Sequence, residues 1–534
     1  MNAAPLPAPR SSSTTRRPGV RAALLTLLFF SPAVSTVNAA DAPGTAPAAD
    51  APAVAPSAAP AVAPSAAPSM DKLKFTAAWR SRYEVWDFFA PSGGAGSNNT
   101  YDFYGTDLRA SATWTDKYFE AMVEGQAVGL VDLPSNAMGT AAEGPLGLGA
   151  VYRANNGDQG DDGDIYLRQA WLKVENFGVT GLTIKGGRQS FAEGKEVAAA
   201  DPTLAWLQNM RIAERLIGPF DFTYPGRSFD SALTAWTSGA LNVTGFYGKP
   251  TQGGFALDAM EEIDDIDVLY AALNLTQPER SKNSVARLFY LFYSDDRPLA
   301  QVDNRPLPAR QADTGDTAIH TLGAHALHVL PTSRGPVDFL GWFAWQTGQW
   351  GTLDQSSWAL AVEAGFQPSS LPWKPWFRVG YNASSGDDDP NDGDHGTFFQ
   401  VMPTPRLYSL STLYNLMNNQ DAFAQLVLRP RPGLVWRTDL HIVRLMEDDD
   451  LWYFGGGATR DEEQAGYGYG GRPSGGKTGL MEVLETQLSY TWNDYVATTF
   501  YYGHGFGNDV VEADFSGDNV DYAFFEVTLK LPPM

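Results

Sequence analysis

Three features of the sequence predict an all-β fold: a transmembrane antiparallel β-barrel of about eighteen strands, preceded by a signal peptide and an Ala/Pro-rich linker. Apolar and polar residues alternate over runs of ten or so positions from Leu73 onward. The connections between those runs are alternately short and long. Beyond the N-terminal segment no run of eighteen apolar residues occurs, so no transmembrane helix is expected. The chain accordingly divides into 1–40 as signal peptide, 41–70 as disordered periplasmic linker and 71–534 as barrel.

At the N-terminus, Arg16, Arg17 and Arg21 form a basic region ahead of the apolar stretch Ala22 to Val34. Val37-Asn38-Ala39 and Asn38-Ala39-Ala40 both offer the small residues a signal peptidase needs. The residues after Arg16-Arg17 fit a twin-arginine signal poorly, so ordinary Sec export is expected. From Asp41 to Ser69 the chain is almost entirely Ala, Pro, Val and Ser, with Ala-Val-Ala-Pro-Ser-Ala-Ala-Pro twice in succession. Such a stretch buries too little apolar surface to fold and reads as a tether.

The alternation places strands at about 73–88, 101–115, 117–130, 164–176, 180–190, 227–237, 240–249, 267–277, 284–294, 317–330, 336–347, 356–367, 373–384, 422–429, 433–446, 479–491, 494–503 and 520–531. An even number returns both ends of the barrel chain to one side. In the last strand Ala523, Phe525, Val527, Leu529 and Leu531 share one face, with Tyr522, Phe524, Glu526, Thr528 and Lys530 on the other. Short joints such as Thr115-Asp116-Lys117, Thr237-Ser238-Gly239, Pro430-Arg431-Pro432 and Trp492-Asn493-Asp494 alternate with long polar stretches near 131–163, 191–226, 250–266, 295–316, 385–421 and 447–478. A sandwich has no reason to keep that parity, whereas an outer-membrane barrel has short periplasmic turns and long extracellular loops. Aromatics near strand ends, among them Trp79, Trp86, Phe88, Phe89, Trp171, Trp236, Trp342, Trp373, Trp376, Trp436, Trp492, Tyr501 and Tyr502, suit a bilayer interface. The ending Leu531-Pro532-Pro533-Met534 departs from the terminal aromatic many bacterial barrels carry.

Composition narrows the function classes. The absence of cysteine among 534 residues fits a chain that crosses an oxidising compartment unfolded. The net charge of −23 is concentrated in the long connections, at Asp158, Asp161, Asp162 and Asp164, Asp387–Asp389, Asp392 and Asp394, Glu447–Asp450 and Asp461–Glu463, so it says little about the field inside a pore. Asp158-x-Gly160-x-Asp162-Gly163 lacks the twelfth-position acid of a calcium loop, where Gln169 stands. No G-x-S-x-G or H-E-x-x-H motif occurs, and among six histidines the spacing of His320, His325 and His328 puts His325 on the opposite face of its strand. Neither an enzyme nor a bound cofactor or metal is therefore expected.

The stretch from 167 to 232 carries an ordered set of motifs: Leu167-Arg168-Gln169-Ala170-Trp171, Gly186-Gly187-Arg188-Gln189, Glu214-Arg215-Leu216-Ile217-Gly218 and Gly226-Arg227-Ser228-Phe229-Asp230. This set resembles the alginate export family of outer-membrane barrels. Phe222 stands where that family usually has Trp, and Val197–Arg211 looks like added loop length. The resemblance implies an eighteen-strand porin that passes an anionic polysaccharide through a basic constriction. It nominates Arg168, Arg188, Arg215, Arg227 and Asp230 as residues of the solute path.

Strand parity nominates others. Arg80, Arg82 and Glu84 share a face opposite Tyr83 and Val85, Asp107 and Arg109 share the polar face of the second strand, Arg378 opposes Phe377 and Val379, and Arg437 and Asp439 oppose Leu434 and Trp436. A charge on the lipid face costs about 2–4 kcal/mol at mid-bilayer, so these belong in the lumen. The planar guanidinium suits carboxylates because it donates two parallel hydrogen bonds and stays charged. Two readings stay open: these arginines contact an anionic solute, or they pair with neighbouring carboxylates and brace the wall. The expected partners are an anionic carbohydrate, outer-membrane lipid and lipopolysaccharide, with periplasmic export proteins also open and no nucleic acid. Alternatives are a porin for small organic anions or sugars, an adhesin-type structural barrel and an outer-membrane hydrolase.

Overall fold

The computed structural model describes residues 72–93, 97–404, 409–457 and 468–532. The expected signal peptide and linker, the acidic run Asp461–Glu463 and the last two residues lie outside the described residues. In chain order the strands are β1 (Leu73–Asp87), β2 (Thr100–Thr115), β3 (Phe119–Val131), β4 (Asp162–Glu175), β5 (Leu182–Gln189), β6 (Phe229–Ser238), β7 (Leu241–Pro250), β8 (Ile266–Thr276), β9 (Ser284–Asp295) and β10 (Thr317–Leu330). They continue as β11 (Val337–Trp350), β12 (Leu353–Phe366), β13 (Trp376–Ser384), β14 (Asp394–His395), β15 (Asn419–Arg431), β16 (Leu434–Arg444), β17 (Leu451–Gly455), β18 (Tyr469–Pro473), β19 (Gly479–Asn493), β20 (Val496–Gly507) and β21 (Asn519–Lys530).

Eighteen of these strands form one closed antiparallel barrel. Each pairs with its sequence neighbours in the wall, and β1 closes the cylinder by pairing with β2 on one side and β21 on the other, Trp79 opposing both Leu108 and Leu529. Closure removes the free edges that would otherwise leave backbone groups unpaired in lipid. All eighteen expected strands are present, with ends shifted by at most four residues. The extra three are a two-residue strand, β14, that runs parallel to β12, and the β17–β18 hairpin within a long connection.

The pleat is inverted relative to a soluble barrel. On β1, Tyr83 and Val85 are exposed while Arg82, Glu84 and Trp86 are buried, and the same alternation exposes Val123, Ile165, Leu288, Val362, Val379, Leu440 and Phe525. Apolar side chains facing outward and polar ones facing inward are what a lipid-embedded wall requires. The aromatic expectation divides in two. Trp236, Trp373, Trp436, Trp492 and Tyr502 are exposed on the outside, but Trp86, Phe88, Phe89, Trp342, Trp376 and Tyr501 are buried, packed against interior segments. They correct the assignment of those six to the bilayer interface.

The even strand count leaves short turns on the side of the barrel termini and long connections on the other. One long-side connection is a tight turn, where Gly351 at φ +61° joins β11 to β12. The rest are built structures, including the helix Leu148–Asn155 and the helix Pro202–Leu207, which Asp201 caps by accepting from Thr203 N and Leu204 N.

Candidate functional site

The connection between β5 and β6, residues 190–228, folds into the barrel and reaches wall strands on several sides. Near its start Glu193 meets Arg287 of β9 at 2.5 Å, and Glu196 accepts from Tyr270 of β8. Next, Arg211 donates to Glu363 of β12 at 2.8 Å and Arg215 Nη2 lies 3.4 Å from the same carboxylate and from Asn382 of β13. At its far end, Gln126 of β3 donates to Tyr224 O at 2.7 Å, and Tyr224 donates to Glu84 of β1 at 2.7 Å. The lumenal polar face is thus lined by this segment as well as by the wall.

Asp221 is the charged centre of that far end. Arg168 Nη2 donates to Asp221 Oδ1 at 2.6 Å and Arg109 Nη2 donates to the same oxygen at 3.0 Å. Arg80 donates to the backbone carbonyls of Asp221 and Thr223, each at 2.6 Å, while its Nε meets Asp107 at 2.6 Å. Burial works against ionisation of Asp221, but Arg109 and Arg168, with Arg80 beyond them, outweigh it and hold the carboxyl well below its usual range. The carboxylate is still half-exposed, so it faces open space on its free side. Arg82 completes the cluster: it pairs with Glu526 at 2.8 Å and Glu84 at 3.3 Å, donates to Phe222 O at 3.2 Å and lies 4.4 Å from the Phe222 ring centre.

Local geometry explains how these residues come together. Arg168 is the odd residue in the β3–β4 ladder, where Glu124 pairs with Gln169 and Gly125 with Leu167; it keeps the inward direction of Tyr166, while the bulge shifts the residues after it, so that Leu172 faces out and the alternation that parity reading relies on is broken. Gly226 sits at φ +61°, and a Cβ there would lie 2.7 Å from Arg168 Nη1 and 3.0 Å from Pro219 O. Only glycine lets the chain turn this close to the guanidinium.

The structure places the other nominated residues as follows. Arg378 faces inward and is buried between Asp338 and Glu363, the latter at 2.8 Å. Arg437 faces inward and is paired with Asp439. Arg227 is buried and donates to the carbonyls of Pro403 at 3.2 Å and Gly456 at 2.5 Å. Arg188 and Asp230 are the exception. They oppose each other across β5 and β6 and pair, but they share the outward parity of Ile184 and Trp236. They stand on the outer rim, where Arg188 also reaches Met260 O, and not in the lumen. The motif nominated them; strand parity excludes them from the pore.

Sequence reading missed Asp221, Arg211, Glu193, Arg287 and Glu363. Asp221 had a signal, because it adjoins Phe222, the position where the motif set departs from the family, and that ring packs on Arg82. The acidic loops are not wholly solvated: Asp387 and Asp450 are buried, with Asp450 accepting from Thr397 at 2.6 Å, Tyr453 at 2.7 Å and Asp387 N at 3.0 Å. Beside these loops lies a cavity of about 280 Å³, lined by Trp86, Phe88, Phe220, Phe222, Phe255 and Tyr414, with Arg472 as its cation.

A sequence model of alginate export proteins matches residues 71–518. The chain belongs to the alginate export family. No curated protein sequence matches this family member. Among solved structures it is similar to OccAB1 of Acinetobacter baumannii, at 12% identity and TM-score 0.53 over 86% of this chain and 97% of that one. It is also similar to OccK9 (OpdG) of Pseudomonas aeruginosa, at 11% identity and TM-score 0.52 over 87% and 99%. A third is P. aeruginosa OpdK with vanillate, at 10% identity and TM-score 0.51 over 87% and 99%. At such identities these likenesses show the barrel fold alone. Family and fold together make this alginate export family member an integral outer-membrane barrel of the channel class.

Proposed function

We propose that the barrel passes an anionic, carboxylate-bearing polysaccharide or oligosaccharide across the outer membrane, with lumenal arginines as successive partners of its carboxylates. One observation carries the reading. Arg109 and Arg168 converge from two strands on a single carboxylate, that of Asp221, and Arg80 fixes the backbone beside it. A uronate carboxylate could accept from the same two guanidiniums, which supports the reading. On this reading the long connections face the cell exterior and the barrel termini the periplasm. Residues 1–40 then serve as export signal and 41–70 as periplasmic spacer.

The test is electrical. In planar bilayers under a salt gradient, Arg109→Ala with Arg168→Ala should move the reversal potential toward cations and weaken current block by uronate oligomers, most at low salt, where screening is least. Unchanged selectivity and block in a folded double variant would mean that these arginines only hold the loop.

A second reading has its own observation. The aromatic-lined cavity with Arg472 suits a small aromatic carboxylate better than a polymer, and one solved neighbour carries vanillate. Block by vanillate that survives the Arg109/Arg168 substitutions but not Arg472→Ala would favour it.

A further inference from the structure

Across the lumen wall, on β15, β16 and β19, a histidine lies among carboxylates in an arrangement that hydrogen bonding alone does not complete. His441 is fully buried, and its Nδ1 lies 2.8 Å from Asp421 Oδ1. That contact holds a proton on Nδ1 and directs the Nε2 lone pair away from Asp421. Nε2 makes no hydrogen bond. It points instead toward two more buried carboxylates, 3.4 Å from Glu485 Oε1 and 3.9 Å from Asp439 Oδ2. The second oxygen of Asp439, Oδ1, also makes no hydrogen bond. One donor atom from each of Asp439, His441 and Glu485 lies within 4.8 Å of the other two.

Three acceptors turned toward one point need a positive occupant, either a proton on Nε2 or a cation between them. The spacing separates the two. A charge-assisted N–H···O bond would close to about 2.7–2.9 Å. Ligands on a tetrahedral ion with bonds of about 2.0–2.2 Å stand about 3.3–3.6 Å apart; the His441 Nε2–Glu485 Oε1 separation of 3.4 Å falls in that range, and Asp439 at 3.9 Å lies just beyond it. An imidazole fixed by a carboxylate on its far nitrogen is the usual second-sphere arrangement of a metal-bound histidine. Mixed imidazole and carboxylate donors select zinc-like ions over calcium or magnesium.

We propose that Asp439, His441 and Glu485 form a divalent transition-metal site of zinc type in the barrel wall, with Asp421 orienting the imidazole and the fourth position open to water. Arg437 pairs with Asp439 Oδ2, while Oδ1 of the same carboxylate makes no hydrogen bond. Glu485 also accepts from Leu410 N at 2.7 Å, so the site joins β16 and β19 to the interior segment that follows residue 408.

The experiment uses untagged full-length protein, extracted in detergent, stripped with EDTA and shown to be folded by heat-modifiable gel mobility. Titration with Co²⁺ should give one equivalent bound, visible absorption bands of a four-coordinate ion, and displacement by Zn²⁺ in equilibrium dialysis. His441→Ala should abolish the bands, Glu485→Gln should weaken binding at least tenfold, and Asp421→Asn should weaken it about 10- to 100-fold. If His441→Ala does not fold, Glu485→Gln and Asp439→Asn carry the test. A folded wild-type barrel that binds no stoichiometric Co²⁺, or folded variants that bind it as tightly as wild type, would overturn the proposal in favour of an imidazolium. The outcome does not depend on selectivity at Arg109 and Arg168.

Discussion

Glu363→Gln tests whether the infolded connection is held by its wall contacts. The carboxylate is fully buried and receives Arg211 at 2.8 Å, Arg378 at 2.8 Å and Arg215 at 3.4 Å. Arg378 retains Asp338 when Glu363 is neutralised, so the loss falls on Arg211 and Arg215, both of which belong to the infolded segment. Removing one partner of a buried pair costs about 3–5 kcal/mol; Arg215 keeps its bonds to Arg211 O and Asn382, which places the cost at the lower end. At about 1.4 kcal/mol per decade, the docked-to-released ratio should fall by a factor of 100 or more. The barrel ladder itself is untouched, so gel mobility of the unheated protein should be preserved. The assay is limited proteolysis of the purified barrel together with single-channel recording. Cleavage within 195–215 should accelerate, and the conductance should rise or fluctuate between levels. Equal cleavage and equal conductance in a folded variant would refute the idea that Glu363 anchors the segment.

Gly226→Ala should cost about 1–3 kcal/mol, from the positive φ and the 2.7 Å approach to Arg168, and should appear as a lower unfolding midpoint. Leu288→Arg or Val362→Arg, both on the outer face, should cost about 2–4 kcal/mol in lipid vesicles, whereas an inward parity for either position predicts a much smaller penalty. Burial, with Asp450, Asp392 and Asp303 nearby, raises Asp387 to about 7, and burial raises Asp450 to about 6 against the hydrogen bonds it accepts. Both values exceed the ordinary carboxyl value of about 3.9, so the docked loops hold extra protons, are most stable below about pH 4 and loosen as pH rises to about 7. Hydrogen exchange in 386–397 and 446–453, corrected for intrinsic rates, should therefore speed up from pH 5 to pH 8; slower exchange at pH 8 would contradict the sign. Antibodies against 385–395 or 447–457 should bind intact cells, and binding only after permeabilisation would reverse the orientation.

The wall of the barrel was legible because lipid outside and polar groups inside impose a period of two on every strand, and because turn and loop lengths must alternate. Where that period is broken the reading stalls, and Arg168 shows why: a bulge at this point gives the two halves of its strand opposite parity, and which half it follows depends on a partner strand that the local sequence does not reveal. Arg188 and Asp230 show the opposite error, a motif transferring position in the chain without transferring the side of the wall. Asp221 and Glu363 were beyond strand parity for a different reason. Their partners lie 53 and 152 residues away, across the cylinder, and nothing in either local sequence encodes which wall a long connection will meet. The buried aromatics follow from the same cause, since Trp376 is covered by Trp206 of the infolded segment at a ring separation of 4.5 Å.

The infolded connection also alters what passage through such a barrel would consist of. Each lumenal guanidinium described above already has a carboxylate or carbonyl of the chain itself as partner, so the protein can assemble and insert without any passenger to neutralise it. An anion entering from either side would find each of those guanidiniums already partnered. It would advance by trading places with Asp221, or with another of the chain's own acceptors, one guanidinium at a time. The rate would then follow the lifetime of each internal pair, and tuning a single carboxylate in the loop would set the pace of transport as effectively as widening the wall.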